Sequence, residues 1–296
     1  MDFKQIEAFV SVAKFKSFSK AANTIFLSQP TISSHIASLE KELSIQLFDR
    51  TSKEVNLTPA GESFLDYAVD IINTRNHAIV ALSDFNSNIS GKLNLSASTT
   101  PCNSIVPKLM QKFSVKYPDV TFNVNEQNSG KIIKAIMNLD CEIGIVGSSI
   151  NHDKITTYKL LEDELILISH SNLNLPSEIE LKNLLKYKFI FREKSSATRA
   201  TFESLISEKL DINKLNVLCE VNNLDTLIQF VKTGMGVSIV SSNVFKNFAF
   251  DSNLSCSKIR DLSLKRDIYL VTNSRRTLSP TAKAFFTMCK EDFNLK

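Results

Sequence analysis

Two sets of polar side chains in this 296-residue chain are spaced to do chemistry. In "LSQPTISSHIASLEKEL" (27–43), Gln29, Thr31, Ser33, Ser34 and His35 crowd the opening turns of a helix. The other face of that helix is an apolar seam of Ile32, Ile36, Leu39 and Leu43, the spacing of a packed helical face. Ser28 can cap its start, and Pro30 costs no intrahelical donor in a first turn. Amides, hydroxyls and imidazoles hydrogen-bond base edges and phosphates; on an isolated helix they would equally be a solvated surface. The second set is three stretches that each follow a short apolar strand. "ASTTPCNS" (97–104) offers Ser98, Thr99 and Thr100, "VGSS" (146–149) offers Gly147 and Ser148, and "FREKSSATRATFE" (191–203) offers Arg192, Ser195, Ser196, Thr198 and Arg199. Hydroxyls and free backbone N–H groups beyond strand ends suit a small anion. Singly, each stretch is explained as well by helix capping. Arg192 and Arg199 could instead pair with Glu193 or Glu203.

Other chemistries find less support. The five cysteines are odd in number and far apart, which is neither a disulfide framework nor a zinc site. The four histidines have no metal-ligand spacing, so no metal and no cofactor is expected. Ser11 to Lys14 and Ser17 to Lys20 fit Ser-x-x-Lys, a pattern common by chance, and no phosphate-binding loop, His-Glu-x-x-His or Gly-x-Ser-x-Gly occurs. No catalytic residue is assigned. The net charge of +4 is too small to imply nucleic acid by itself, and residues 1–58 carry seven Lys/Arg against six Asp/Glu. Any DNA contact there depends on where charges are placed. No apolar run is long enough to span a bilayer. The first eighteen residues scatter charge and lack a signal-peptide core, so a cytoplasmic protein is expected.

The elements around the first set form a recognisable plan. Residues 2–16 read as a helix capped by Asp2 and Gln5, with Ile6, Phe9, Val10 and Ala13 as its stripe. A second helix starts at Ser17 or Ser19 and ends near Phe26, with Ala21 and Ala22 allowing close approach. Helix, short connection, and a helix polar at its N-terminal end make a helix-turn-helix. Leu47–Phe48 and Val55–Leu57 then suggest a hairpin around "DRTSKE", where Arg50 and Lys53 would touch phosphates or the minor groove as a wing. From Thr58 to about Phe85, apolar residues at helical spacing give a rod of roughly 40 Å. Its stripe packs either on its own domain or on a second copy. "NSNISG" (86–91) reads as a hinge.

Beyond it, strands and helices alternate: "KLNLSAS", "VTFNVNE" and "EIGIVG" with two helices between them, then a second such set closed by "DIYLVTNS" and "SPTAKAFFTMCKEDF". That alternation predicts α/β architecture with mostly parallel sheets.

"SFSKAANTIFLSQPTISSHIASLEKELSIQLFDR", with "LTPAGESFLDYA", resembles the N-terminal domain of the LysR-type transcriptional regulators. The resemblance runs without a gap through about residue 70, and "NNLDTLIQFVKTGMGVSIVSS" extends it, with Gly234 and Gly236 shaping a turn. It implies DNA contacts from Ser28, Gln29, Pro30, Thr31, Ser33, Ser34 and His35, with Arg50 as the wing arginine. Ser34 stands at a position that varies among members, and Ser44 stands where a helix-ending glycine is usual. The implied fold is a winged helix-turn-helix (1–58), a linker helix (59–88) and an α/β effector-binding domain (89–296). That domain would have two Rossmann-like subdomains resembling periplasmic binding proteins, about 92–163 with 268–296, and 164–267. The chain would cross between them near Leu161–Leu165 and Lys265–Ile268, with an effector in the cleft at Thr99 and Thr100. Implied partners are double-stranded promoter DNA, a small anionic effector, a second copy of the chain as dimer or tetramer, and RNA polymerase. "SASTTPCNSIVP" and "FREKSSATR" are similar to members associated with sulfur or selenium metabolism, with amino-acid or aromatic metabolism as the alternative. A transporter's solute-binding protein would lack the winged domain, and an architectural DNA binder would not need the α/β cleft.

Overall fold

The computed structural model describes residues 1–49, 55–83, 89–148, 150–248, 250–260 and 262–295, with the backbone alone at positions 77, 80, 81 and 83. The chain divides into two compact units, Met1–Ser87 with Arg275–Pro280, and Asn88–Ser274 with Thr281–Lys296.

The first unit contains α1 (Phe3–Phe15), α2 (Phe18–Thr24), α3 (Gln29–Leu43), the hairpin β1 (Phe48–Asp49) and β2 (Asn56–Leu57), and α4 (Pro59–Ser83). Local chemistry sets each boundary. Asp2 accepts the Gln5 N–H at 2.8 Å while Gln5 accepts the Asp2 N–H at 2.9 Å, a reciprocal cap. Ser17 caps α2, and Ser28 caps α3 by accepting the Thr31 N–H at 3.2 Å. Ile32, Ile36 and Leu39 are fully buried against Ile6, Phe9, Val12, Ala21 and Ala22. The seam stops there: Leu43, the last residue of α3, is exposed. The glycine-like turn after α3 forms even with serine, since Ser44 sits in the left-handed region at φ 53. The Glu40 carboxylate accepts the N–H groups of Leu47 (2.8 Å) and Phe48 (3.2 Å), fixing the hairpin to α3. Thr58 Oγ1 caps α4 by accepting the Gly61 N–H at 3.0 Å, and donates to the Gln46 carbonyl at 2.7 Å. This brings α4 so close to the hairpin that a Cβ on Gly61 would lie 2.1 Å from the Leu47 carbonyl oxygen. Phe64, Leu65, Ala68, Ile71 and Ile72 of α4 pack on the unit's own core, whereas Tyr67, Ile79 and Leu82 are exposed.

The second unit begins with β3 (Gly91–Ala97), α5 (Thr99–Ser104), α6 (Val106–Lys116), β4 (Val120–Glu126), α7 (Ser129–Met137), β5 (Ile143–Val146) and the long strand β6 (Ile155–His170). It continues with β7 (Glu178–Ile179), β8 (Lys188–Arg192), α8 (Ala197–Ser207), β9 (Asn216–Val221), α9 (Leu224–Lys232), β10 (Ser238–Ser241) and α10 (Ser242–Phe245). It ends with β11 (Leu254–Ile259), β12 (Lys265–Asn273) and α11 (Pro280–Phe293). The main sheet runs β4-β3-β5-β12-β6-β11-β7, with β10 also on β6 and β8 paired to β9. Val237 joins β8 to this second half, its N–H donating to the Lys188 carbonyl at 2.8 Å. Gly236 has no room for a side chain there, because a Cβ would stand 2.4 Å from that same carbonyl oxygen.

Pairing is mixed, not mostly parallel. β3–β4, β3–β5, β8–β9 and β7–β11 are parallel, but β12 is antiparallel to β5 and β6, and β6 to β10 and β11. The departure comes from β6, whose first half "ITTYKLLED" is rich in polar residues and so lacks the apolar run of a doubly covered strand. That half pairs with β12, and residues 165–170 pair with β10 and β11, so one strand serves both halves of the sheet.

Where the chain crosses, "EDE" (162–164) lies opposite "KRD" (265–267): Glu164 faces Lys265 and Asp163 faces Arg266. Arg266 is 8% exposed and Asp163 1%. Arg266 Nε donates to Asp163 Oδ2 at 3.0 Å and Nη2 to Thr100 Oγ1 at 2.9 Å. Asp163 Oδ1 accepts from Ser241 Oγ at 2.6 Å and Asn243 Nδ2 at 3.1 Å. Burial pulls the Arg266 pKa down and the Asp163 charge opposes that pull; an arginine keeps its proton regardless. The network ties Thr100, from the first half, to Ser241 and Asn243, from the second.

Two measurements test these constraints in the full chain. Gly61→Ala should destabilise the first unit by about 1–3 kcal/mol through overpacking, while Ser44→Gly should stabilise it by about 1 kcal/mol by removing left-handed strain; thermal unfolding reads both signs. In urea unfolding, Asp163→Asn should cost about 3–5 kcal/mol, because it strands a buried guanidinium. Replacing the pair together by Asp163→Leu and Arg266→Met should recover much of that loss.

Candidate functional site

On α3 the predicted contact residues are presented together. Ser28, Gln29, Pro30 and Ser34 are exposed, and Thr31, Ser33 and His35 are partly so. Ser28 Oγ and Thr31 Oγ1 lie 2.7 Å apart and satisfy each other. Gln29 Oε1 accepts from Ser19 Oγ of α2 at 3.5 Å, a long contact that orients the amide without occupying its donor. Ile32 and Ile36 interleave with these positions and are wholly buried, so the polar residues face outward at fixed angles. Arg50 and Lys53 lie outside the described residues, so the wing is represented only by the paired ends Phe48↔Leu57 and Asp49↔Asn56.

In the second unit, the carboxyl ends of β3, β4, β8 and β9 open onto one cavity of about 190 Å³. Its polar wall is built from the turns that follow those strands. Ser98, Thr99 and Thr100 come from the first, Glu126 to Ser129 from the second, Arg192, Glu193 and Ser195 to Thr198 from the third, and Asn222 from the fourth. Ile239, Val240 and Leu224 supply an apolar patch. Thr100 Oγ1 and Thr198 Oγ1 approach to 3.5 Å across it. Ser98, though placed as the cap of α5, makes no side-chain cap hydrogen bond. Ser196 caps α8 through the Arg199 N–H at 3.5 Å, and Ser195 Oγ reaches Glu193 Oε1 at the same distance.

Both predicted arginines are engaged. Arg192 lines the cavity but grips Glu193 with Nε (2.9 Å) and Nη2 (3.1 Å). Arg199 does not line it; its guanidinium pairs with Glu203 at 2.7 Å and with Glu220, and stacks 5.1 Å from the Phe191 ring centroid. These bonds raise the Arg199 pKa against the opposing effect of burial, which is the largest influence on it. Gly147 and Ser148 also stand outside the lining, Gly147 behind Arg266, where a Cβ would come within 3.3 Å of Nη1. Ser149 lies outside the described residues.

Much of the lining was not anticipated, including Arg266, Glu126, Ser129 and Ser241. Arg266 had a legible signal, since "EDE" and "KR" are complementary charges set into two strands at the expected crossings. Cys102, on α5, has its pKa raised by burial and then by the neighbouring Glu126 carboxylate. Among the described residues no group of histidines, cysteines and acids could hold a metal, and no helix is long and apolar enough to cross a membrane.

Comparison with known proteins accounts for both units. Residues 3–62 match the bacterial regulatory helix-turn-helix protein model of the lysR family, and residues 86–294 match the LysR substrate binding domain. An uncharacterized HTH-type transcriptional regulator of Methanocaldococcus jannaschii is 34% identical over 284 residues, covering 95% of each chain. A probable RuBisCO transcriptional regulator of Cyanophora paradoxa is 30% identical over 289 residues, covering 95% of this chain and 89% of that one. Among solved structures, a full-length OxyR variant from Pseudomonas aeruginosa shares the fold at a TM-score of 0.72 and 18% identity, over 99% of this chain and 94% of that one. Full-length CbnR complexed with its target DNA does so at 0.62 and 18%, over 99% and 100%. The chain belongs to the LysR family: it is a DNA-binding transcriptional regulator with an effector-binding domain, and not an enzyme.

Proposed function

We propose that α3 reads its operator from the major groove with Gln29, Ser33, Ser34 and His35, while Ser28, Pro30 and Thr31 hold the helix start against the backbone. Arg50 and Lys53 would grip phosphates from the wing. The observation that carries this reading is the division of α3 into a buried seam and an outward polar face, on which the side chains of Ser33, Ser34 and His35 make no hydrogen bond among the described residues. The exposed Ile79 and Leu82 of α4 support pairing with a second copy, which would place two such helices on a two-fold operator. Residues 1–58, 59–88 and 89–296 then serve as DNA-binding, linking and effector-binding segments.

The cavity is assigned as the effector site. Its volume is below the roughly 300–1,000 Å³ of pockets that bury drug-sized ligands, so the ligand is small. Hydroxyls of Ser98, Thr99, Thr100, Ser196 and Thr198 and the guanidinium of Arg266 favour an anionic group. Occupation would compete for Thr100, the residue through which Arg266 holds the first half of the sheet, and so change how the two halves sit. For the pathway, relatives named as probable RuBisCO transcriptional regulators cover 95% of the chain and support carbon metabolism. The sulfur or selenium reading rests on two short motifs, and sulfate, thiosulfate and selenite belong in any ligand panel for that reason.

Two experiments test these roles. Gln29→Ala and Ser33→Ala should weaken operator binding by about 1–3 kcal/mol per lost base contact and random-sequence binding much less; equal losses on both would remove the base-reading role. A ligand at about 100 times its Kd should stabilise the folded chain by about 2.7 kcal/mol. That stabilisation should vanish in Thr100→Val if the cavity holds the ligand.

A further inference from the structure

The charges around the cavity do not add up to a site for a bare anion. Arg192 is neutralised by Glu193, and Arg266 by Asp163. A third carboxylate, Glu126, lines the cavity with no cationic partner among the described residues. The group beside it is the Cys102 thiol, a weak donor. Three residues further on, Ser129 also belongs to the cavity wall; the residue is 7% exposed, and its buried Oγ has no hydrogen-bond partner. A buried hydroxyl left unsatisfied costs about 1–3 kcal/mol, so an orphan on the wall that also carries Glu126 marks where a ligand donor belongs.

Donors stand elsewhere on the same wall. Arg266, which lines the cavity, carries five N–H groups; Nε donates to Asp163 and Nη2 to Thr100, and Nη2 carries a second N–H besides. The donor and acceptor ends are close. β3 and β4 are adjacent parallel strands with Ala97 opposite Glu126, and the Gln127 N–H donates to the Ala97 carbonyl at 3.1 Å. Glu126 therefore sits one strand, about 4.8 Å, from Ala97, which leads directly into the turn that carries Thr99 and Thr100.

We propose that the cavity takes an amphoteric ligand of the free α-amino-acid class, with its carboxylate on Arg266 and the hydroxyls of Thr100 and Thr198, and its ammonium on Glu126 and Ser129 Oγ. This rests on the assignment of the cavity as the effector site and narrows the ligand. An ammonium supplies three donors and one positive charge, which satisfies the orphan hydroxyl and neutralises the third carboxylate together. An inorganic oxyanion does neither, and meets Glu126 as a like charge.

The test is binding to the full chain, by calorimetry and thermal unfolding, of small free α-amino acids (glycine, alanine, serine, cysteine), the same compounds N-acetylated, and inorganic sulfate. The expected result is binding of at least one free amino acid, weakened at least tenfold by N-acetylation and at least tenfold by Glu126→Gln. Ser129→Ala should weaken it by a smaller factor. Glu126 is exposed, so its substitution leaves folding intact. Binding of sulfate or an N-acetyl compound with none of any free amino acid would overturn the proposal and leave the anion site standing. Binding of a free amino acid that Glu126→Gln does not change would overturn the ammonium's placement. No binding by any compound would overturn both this proposal and the effector reading of the cavity.

Discussion

A guanidinium shut away from water must keep a counter-charge at hydrogen-bond distance, and the second unit is arranged around that requirement. Arg266 and Asp163 lie opposite each other on β12 and β6, the two strands by which the chain passes between the halves of its sheet. Isolated, either charge would cost several kcal/mol to bury. Paired, they leave lone pairs and N–H groups that still need partners, and the partners come from both halves: Thr100 on one side, Ser241 and Asn243 on the other. The pair thus sets geometry more than it adds stability. An apolar replacement would hold the strands together equally well, but it would not report to Thr100.

That coupling places one residue in two roles. Thr100 Oγ1 accepts from Arg266 and also lines the cavity opposite Thr198. On the proposed reading, a ligand oxygen that took the Arg266 N–H held by Thr100 would have to displace or share it, so filling the cavity would loosen the tie between the two halves. The cavity's other charges are arranged so that this competition stays local. Arg192 and Arg199 are each committed to carboxylates on their own side, and Arg199 is further held against Phe191.

The sequence made the first unit legible almost to the residue, because caps and seams are local. Asp2 with Gln5, Ser17, Ser28 and Thr58 mark helix starts by chemistry that involves residues three positions away. Ser44 shows the limit of such reasoning, since the turn forms in spite of its residue type: the Ser44 and Ile45 N–H groups satisfy carbonyls at the end of α3. In the second unit the strand ends and their hydroxyls were visible, but the pairing was not. The first half of β6 pairs antiparallel with β12, and nothing within "ITTYKLLED" names that distant partner. The same holds for the site. Ser98 to Thr100 and Ser195 to Thr198 announce themselves as polar turns, whereas Arg266 is placed by a strand pairing with Asp163, 103 residues away in the sequence. Whether an arginine is free or taken is equally non-local: Glu220, 21 positions from Arg199, is part of what occupies it.

The crossing also dictates an order of assembly. Glu164 and Lys265 are direct neighbours across an antiparallel ladder, and the Leu165 N–H meets the Leu264 carbonyl at 2.8 Å. Everything between them is a loop closed at its neck. Drawing the ends of such a loop together from an unstructured chain costs about 4 kcal/mol by the logarithmic length term, and a loop that has already folded meets that cost internally. β12 moreover occupies the place between β5 and β6, at the centre of the sheet. A chain emerging from the ribosome therefore holds β3, β4 and β5 with an open edge until the whole inserted half has been synthesised. The half made first is the half finished last, and its unfilled edge is the segment of this protein most in need of protection during its synthesis.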